Sequence, residues 1–141
     1  MNIKELDDSL PNGFHDAMLE SFSVNYGSGS AVLKLQILVG DPESSVEPER
    51  EAYRAAEVHL SGICYFVIEA PDQKLIGTTS KVLWIDGGSY DAGSAPPCPV
   101  PLAALPQDIS TYWFYVREWN SFIHVAVRDA NIQWCSKDPQ P

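Results

Sequence analysis

The residues of this chain best suited to metal, acid/base or nucleophilic chemistry are three histidines, at 15, 59 and 124, and three cysteines, at 64, 98 and 135. One histidine sits in a compact motif, Leu10-Pro11-Asn12-Gly13-Phe14-His15-Asp16-Ala17. There Asn12-Gly13 is a turn signal, Phe14 is expected to pack inward, and His15-Asp16 sets an imidazole beside a carboxylate. Such a pair could bind a metal or move protons if another histidine or carboxylate met it in space. The histidines are 44 and 65 residues apart, so spacing supplies no ligand set, and neither a metal nor a cofactor is expected. Phe14, His15 and Asp16 stand as motif candidates only, because an Asp beside a His more often caps a turn or fixes a tautomer. No catalytic residue is assigned. Gly-x-Ser-x-Gly, Gly-rich phosphate loops and His-Glu-x-x-His are all missing, and Cys64 falls in an apolar run expected to leave it inert.

A second group of chemically useful side chains lies near the C-terminus, where residues 112–128 can be paired as a β-hairpin. With Asn120-Ser121 as the loop, Trp119 faces Phe122, Arg117 faces His124, Tyr115 faces Ala126 and Trp113 faces Arg128. One face is then Phe114, Val116, Ile123, Val125 and Val127, a core face; the other carries Trp113, Tyr115, Arg117, Trp119, Phe122, His124 and Arg128. Trp, Tyr and Arg dominate binding hot spots because each joins a large contact area to a polar tip, so Trp113, Tyr115, Arg117, Trp119, His124 and Arg128 are the candidate binding residues. The competing reading stacks Arg117 and Arg128 on the tryptophans over a second small core. An open face of this kind equally suits a homodimer interface.

Elements that could position these groups are short and extended. Residues 20–26 and 31–39 alternate about Gly27-Ser28-Gly29-Ser30, and pairing Tyr26 with Ala31, Val24 with Leu33 and Phe22 with Leu35 gives one apolar face. Residues 40–51 hold Asp41, Glu43, Glu47, Glu49 and Glu51 and read as a solvated loop. Residues 48–58 fit either helix or strand, with strand favoured from Tyr53; Gly62 marks a bulge or turn before the apolar run 63–68. A further strand is expected over Ser80–Asp86. Five prolines within 95–106 imply an extended crossover, with Cys98, Val100, Leu102 and Leu105 packing down, and the tail 136–141 is expected to fray. The prediction is an all-β single domain over 1–141, with at most one short helix, built as an antiparallel β-sandwich or partly open barrel of six to eight strands.

Size and charge narrow the function classes. A chain of 141 residues buries roughly 68–70% of its unfolded surface and needs no staples. Three cysteines at unrelated spacings form neither a disulfide framework nor a zinc knuckle. A formal net charge of −10 argues against nucleic-acid binding and, for a macromolecular partner, favours a basic protein. With neither an apolar leader nor a membrane-length apolar run, a cytoplasmic protein that does not enter the membrane is expected.

The motif at 10–17, with Gly40-Asp41, Tyr53-Arg54 and Trp119-Asn120-Ser121-Phe122-Ile123, resembles a family of small uncharacterised bacterial proteins bearing an N-terminal Phe-His-Asp-Ala motif. Its size, acidity and Phe-His-Asp start are also similar to single-domain immunity proteins of bacterial toxin systems. Neither resemblance supplies an activity or a catalytic residue. The leading expectation is a non-enzymatic binding protein, with an immunity-type inhibitor of a basic toxin as one form. The alternatives are a metal-dependent or acid/base enzyme using His15 and Asp16, and a small-ligand-binding β-barrel.

Overall fold

A computed structural model describes residues 1–75, 82–91 and 93–135. Its strands are β1 (Ala17–Asn25), β2 (Ser30–Leu38), β3 (Tyr53–Ile68), β4 (Leu83–Gly88), β5 (Ser110–Val116) and β6 (Ser121–Trp134). They close into a barrel in the order β1-β2-β3-β6-β5-β4, every neighbour antiparallel, with β4 pairing back onto β1. The all-β prediction holds, and closure of the sheet selects the barrel over the sandwich. Closure also removes the unpaired edges that an open sheet would present.

Alternation along each strand decides what fills the barrel. Leu33, Leu35 and Ile37 on β2, Val58 and Leu60 on β3, Phe114 and Val116 on β5, and Ile123, Val125 and Val127 on β6 are all buried in the core. These inward residues pack the interior with side chains, as expected for a barrel of few strands. One short helix, α1 (Ile3–Ser9), packs on β5 and β6 at one end of the barrel and inserts Ile3 and Leu6. Its start is a capping box: the Asn2 side chain accepts from the Glu5 N–H, and the Glu5 carboxylate accepts from the Asn2 N–H. Phe14 follows α1 into the core, edge-on to Tyr112 and Phe114 at centroid distances of 5.9 and 5.4 Å.

Several local expectations need correction. In the first hairpin Val24 faces Ala31 and Phe22 faces Leu33, with a bulge between Leu19 and Ser21; Tyr26 leaves the ladder for the turn and is 94% exposed. In the last hairpin Val116 faces Ser121 and Trp113 faces His124, so the loop is Arg117–Asn120. A 3-10 turn over Arg117–Trp119, ended by left-handed Asn120 at φ 47°, takes the place of a two-residue connection. The ambiguous segment 48–58 divides, with helix α2 (Glu47–Arg50) ending before β3 begins at Tyr53. Gly62 has φ 63°, and the β3–β6 register slips between Ile63 and Tyr65, leaving Cys64 as the extra residue of a bulge. For that reason Cys64 is exposed rather than buried in the apolar run. The crossover is irregular apart from a 3-10 turn at Leu102–Ala104, and Leu102 is half exposed instead of packed down. Ser80 and Lys81 of the expected fourth strand, and the tail 136–141, lie outside the described residues. Among the described residues no helix is long and apolar enough to cross a membrane.

Candidate functional site

Turn chemistry in the 10–17 motif aims its side chains. Asn12 donates from Nδ2 to the carbonyls of Leu38 and Gly40, 2.9 Å each, fastening the motif to the end of β2. Gly13 takes φ 56°, and the Phe14 N–H donates to Asp7 Oδ1 at 2.8 Å, which commits Phe14 inward. Asp16 is itself left-handed, at φ 56°, and this turns His15 and Asp16 outward before β1 begins.

The barrel order then completes a cluster that sequence separation conceals. β4 lies between β1 and β5, so Asp86 on β4 meets Asp16 at the start of β1 and Arg117 just after β5. His15 Nδ1 is 2.6 Å from Asp86 Oδ1, and its Nε2 is 3.2 Å from Asp16 Oδ2. Arg117 donates from Nε and Nη2 to the two Asp86 oxygens, 2.9 Å each, and from Nη2 to Asp16 Oδ1. Burial pushes the Asp86 carboxyl up, but the Arg117 guanidinium, with the Asp16 N–H and His15, more than offsets it and holds Asp86 below the ordinary carboxylate value. His15, Asp16 and Asp86 offer donor atoms within 4.8 Å of one another, a spacing a divalent cation could span. Arg117 is bonded to both carboxylates, so a cation would have to displace the guanidinium. The donor set therefore fits a charge-compensated network better than a metal centre.

This cluster borders a concave outer surface of about 740 Å³ lined by Met18, Leu38, Pro42, Arg50, Tyr53 and Trp84, with Asp16, Glu51 and Arg117 among its polar groups. The Tyr53 hydroxyl donates to the Asp16 carbonyl at 3.0 Å, and its ring meets Trp84 edge-on at 6.1 Å. The acidic 40–51 segment forms one wall and is a closed structure: Val39 and Gly40 N–H both reach the Ala52 carbonyl, and Asp41 N–H reaches that of Glu49. Gly40 is required there, because a Cβ would lie 2.3 Å from the Arg50 carbonyl oxygen. All five of its acidic side chains, Asp41, Glu43, Glu47, Glu49 and Glu51, belong to exposed residues.

The six candidate binding residues do not share one face. Trp113 and Tyr115 lie on the outer face of β5 beside Phe122 and His124. His124, however, is 1% exposed, because Tyr90 of the β4–β5 connection stacks over it and Trp113 donates to the Ser89 carbonyl. Arg117 has left that face for the Asp16–Asp86 cluster. Trp119 packs against the core from the turn, and Arg128 pairs with Asp108 at 2.5 Å. His59 contacts Glu57 on its own strand, so the three histidines enter three separate contacts. Sequence reading missed Asp86, whose only signal was its position before Gly87-Gly88, and it missed Glu69, Tyr65 and Tyr90 around His124.

No family model and no curated protein matches the chain. Among solved structures it is similar to an uncharacterized protein from Neisseria gonorrhoeae, with 11% identity and a TM-score of 0.43 over 84% of this chain and 91% of that one.

Proposed function

We propose that the chain is a non-enzymatic binding protein that receives a basic partner protein at the acidic groove, in the manner of an immunity-type inhibitor of a basic toxin. The observation that carries this reading is convergence: Glu51 of the folded acidic segment 40–51, Asp16 of the cluster that Arg117 ties to Asp86, and the apolar wall of Met18, Leu38, Tyr53 and Trp84 line one concave surface, with the other carboxylates of the segment exposed beside it. A partner's lysine or arginine side chain matches that surface, its methylenes on Tyr53 and Trp84 and its charge toward the loop carboxylates. Excess negative charge would also steer a basic protein to this end of the barrel and speed encounter. A cytoplasmic setting goes with this reading.

The test is affinity capture from native lysate at low and high salt, with the wild-type chain and with a variant carrying Asp41→Asn, Glu43→Gln, Glu47→Gln, Glu49→Gln and Glu51→Gln. A basic protein bound by the wild type, weakened by salt and lost in the variant is expected. Equal capture by the two chains, or capture indifferent to salt, would defeat the proposal. One observation favours a second reading: the His15 ring lies 2.6 Å from the Asp86 carboxylate at the rim of the same groove, a geometry suited to acid/base chemistry. That reading requires His15→Ala to abolish a measurable turnover while the variant remains folded.

A further inference from the structure

At the opposite end of β1 and β2 from the groove, apolar side chains that face the barrel interior come to the surface. Among the described residues the β1–β4 ladder spans only Ala17–Leu19, whereas β1 runs on to Asn25. Past that ladder Phe22 and Val24 still face inward, because directly opposed residues share a face and their partners Leu33 and Ala31 are buried. Ile63, Phe66 and Ile68 face the same way from β3, opposite buried Val127, Val125 and Ile123. The Phe22 and Phe66 rings meet at 5.6 Å but do not seal this mouth: both are only partly buried, and Ile68 is 44% exposed.

Between the tip of the first hairpin and β3 lies a pocket of about 210 Å³, walled by Val24, Ile63, Tyr65 and Phe66, with Cys64 and Tyr26 also on its lining. A cavity of about 150 Å³ accepts benzene, so this one has room for an aromatic ring. No residue that lines it carries a charge, on a chain of net charge −10. Tyr26 is 94% exposed, more than any other large hydrophobic side chain among the described residues. Its turn is held in place: the Ser28 N–H donates to Asn25 Oδ1 at 3.1 Å, and the Ile63 N–H donates to the Gly29 carbonyl at 3.1 Å. An aromatic knob therefore stands in a fixed position beside an apolar hole.

We propose that this face is a two-fold interface between copies of the chain, with Tyr26 of each copy seated in the pocket of the other. An isologous contact requires one patch to carry both halves of the fit, and knob and hole here belong to the same patch. Charge selects the occupant. Two chains of charge −10 repel, and they approach most closely where both surfaces are free of charge; a basic protein gains nothing electrostatic from such a patch. Seating the ring removes apolar area from water on both copies, and the fixed turn keeps the ordering cost low. Neither Asp16 nor any carboxylate of the 40–51 segment lines this pocket, so the dimer leaves the groove open.

The experiment is sedimentation equilibrium of the full chain under reducing conditions, from micromolar to millimolar concentration, at low and moderate salt. A monomer–dimer equilibrium is expected that tightens as salt screens the repulsion between the two chains, opposite in sign to capture of a basic partner at the groove. Tyr26→Ala removes a side chain exposed in the single chain, so the thermal midpoint of the monomer should hold while the dimer weakens about tenfold or more. A short bis-maleimide should join Cys64 to Cys64 between copies of the wild type, mapped by peptide mass spectrometry, because Cys64 is exposed and lines the same pocket. A chain monomeric throughout, a dimer unchanged by Tyr26→Ala, a dimer dissolved by salt, or one in which the linker joins any pair but Cys64 to Cys64 would overturn the assignment. None of these results bears on the acidic groove, which other residues line.

Discussion

Arg117 bonds two carboxylates at once, and the consequence can be measured through acid titration. Asp86 is held below its ordinary value, so its contribution to stability is present above that value and is lost as pH falls through the window beneath it. In Asp86→Asn this part of the acid dependence should vanish, so the stability gap between wild type and variant narrows as pH drops below about 4. Arg117→Ala leaves Asp16 and Asp86 facing each other without a cation. Because all three side chains are partly exposed, the expected loss is about 1 kcal/mol, read from urea midpoints at neutral pH. Asp7 has the opposite sign. Burial beneath the motif pushes its carboxyl up, next to the Tyr112 hydroxyl, so wild-type stability should fall as pH rises through the window above the ordinary carboxylate value. Asp7→Asn keeps an oxygen for the Phe14 N–H and should abolish that fall.

At the scale of elements, β3 passes through left-handed Gly62 just before its bulge at Cys64. Gly62 has φ 63°, and a Cβ there would lie 2.5 Å from the Arg128 Cβ on the neighbouring strand. Gly62→Ala should therefore cost about 1–3 kcal/mol, visible as a lower midpoint in urea denaturation. The two sequence-predicted hairpins show what periodicity can and cannot supply. It sorted Phe114, Val116, Ile123, Val125 and Val127 to the core side, and all are buried. It did not supply register: both ladders are displaced by an even step, and an even step leaves every residue on its original face. Loop conformation fixed the register instead, through left-handed Asn120 after the 3-10 turn in one hairpin and the Tyr26–Gly29 turn in the other. The N-terminal helix had a legible signal in Asn2 and Glu5, three residues apart, ahead of Leu6.

For the whole molecule, a net charge of −10 leaves a net electrostatic repulsion across the fold. Screening should relieve it, so the thermal midpoint is expected to rise as salt increases from near zero to about 0.15 M, where the Debye length falls to roughly 8 Å. A midpoint that falls with salt would mean that favourable ion pairs such as Arg117 with Asp86 outweigh the repulsion. Closure is the other global property. It places β4 between β1 and β5, and with it Asp86 between a residue 70 positions earlier and one 31 positions later.

By itself the sequence determined the all-β class, the inward face of each hairpin, the inward turn of Phe14 and the acidity of the 40–51 segment, because alternation, turn residues and charge are local properties. Tertiary structure alone decided which outward groups meet. His15-Asp16, Asp86 and Arg117 come from three separate places in the chain, and only the strand order brings them together. The same holds for His124: its sequence neighbours placed it on an outer face, but a distant connection carrying Tyr90 buried it. Side-chain direction follows from two or three neighbouring dihedrals, whereas contact between distant elements depends on how the whole sheet closes.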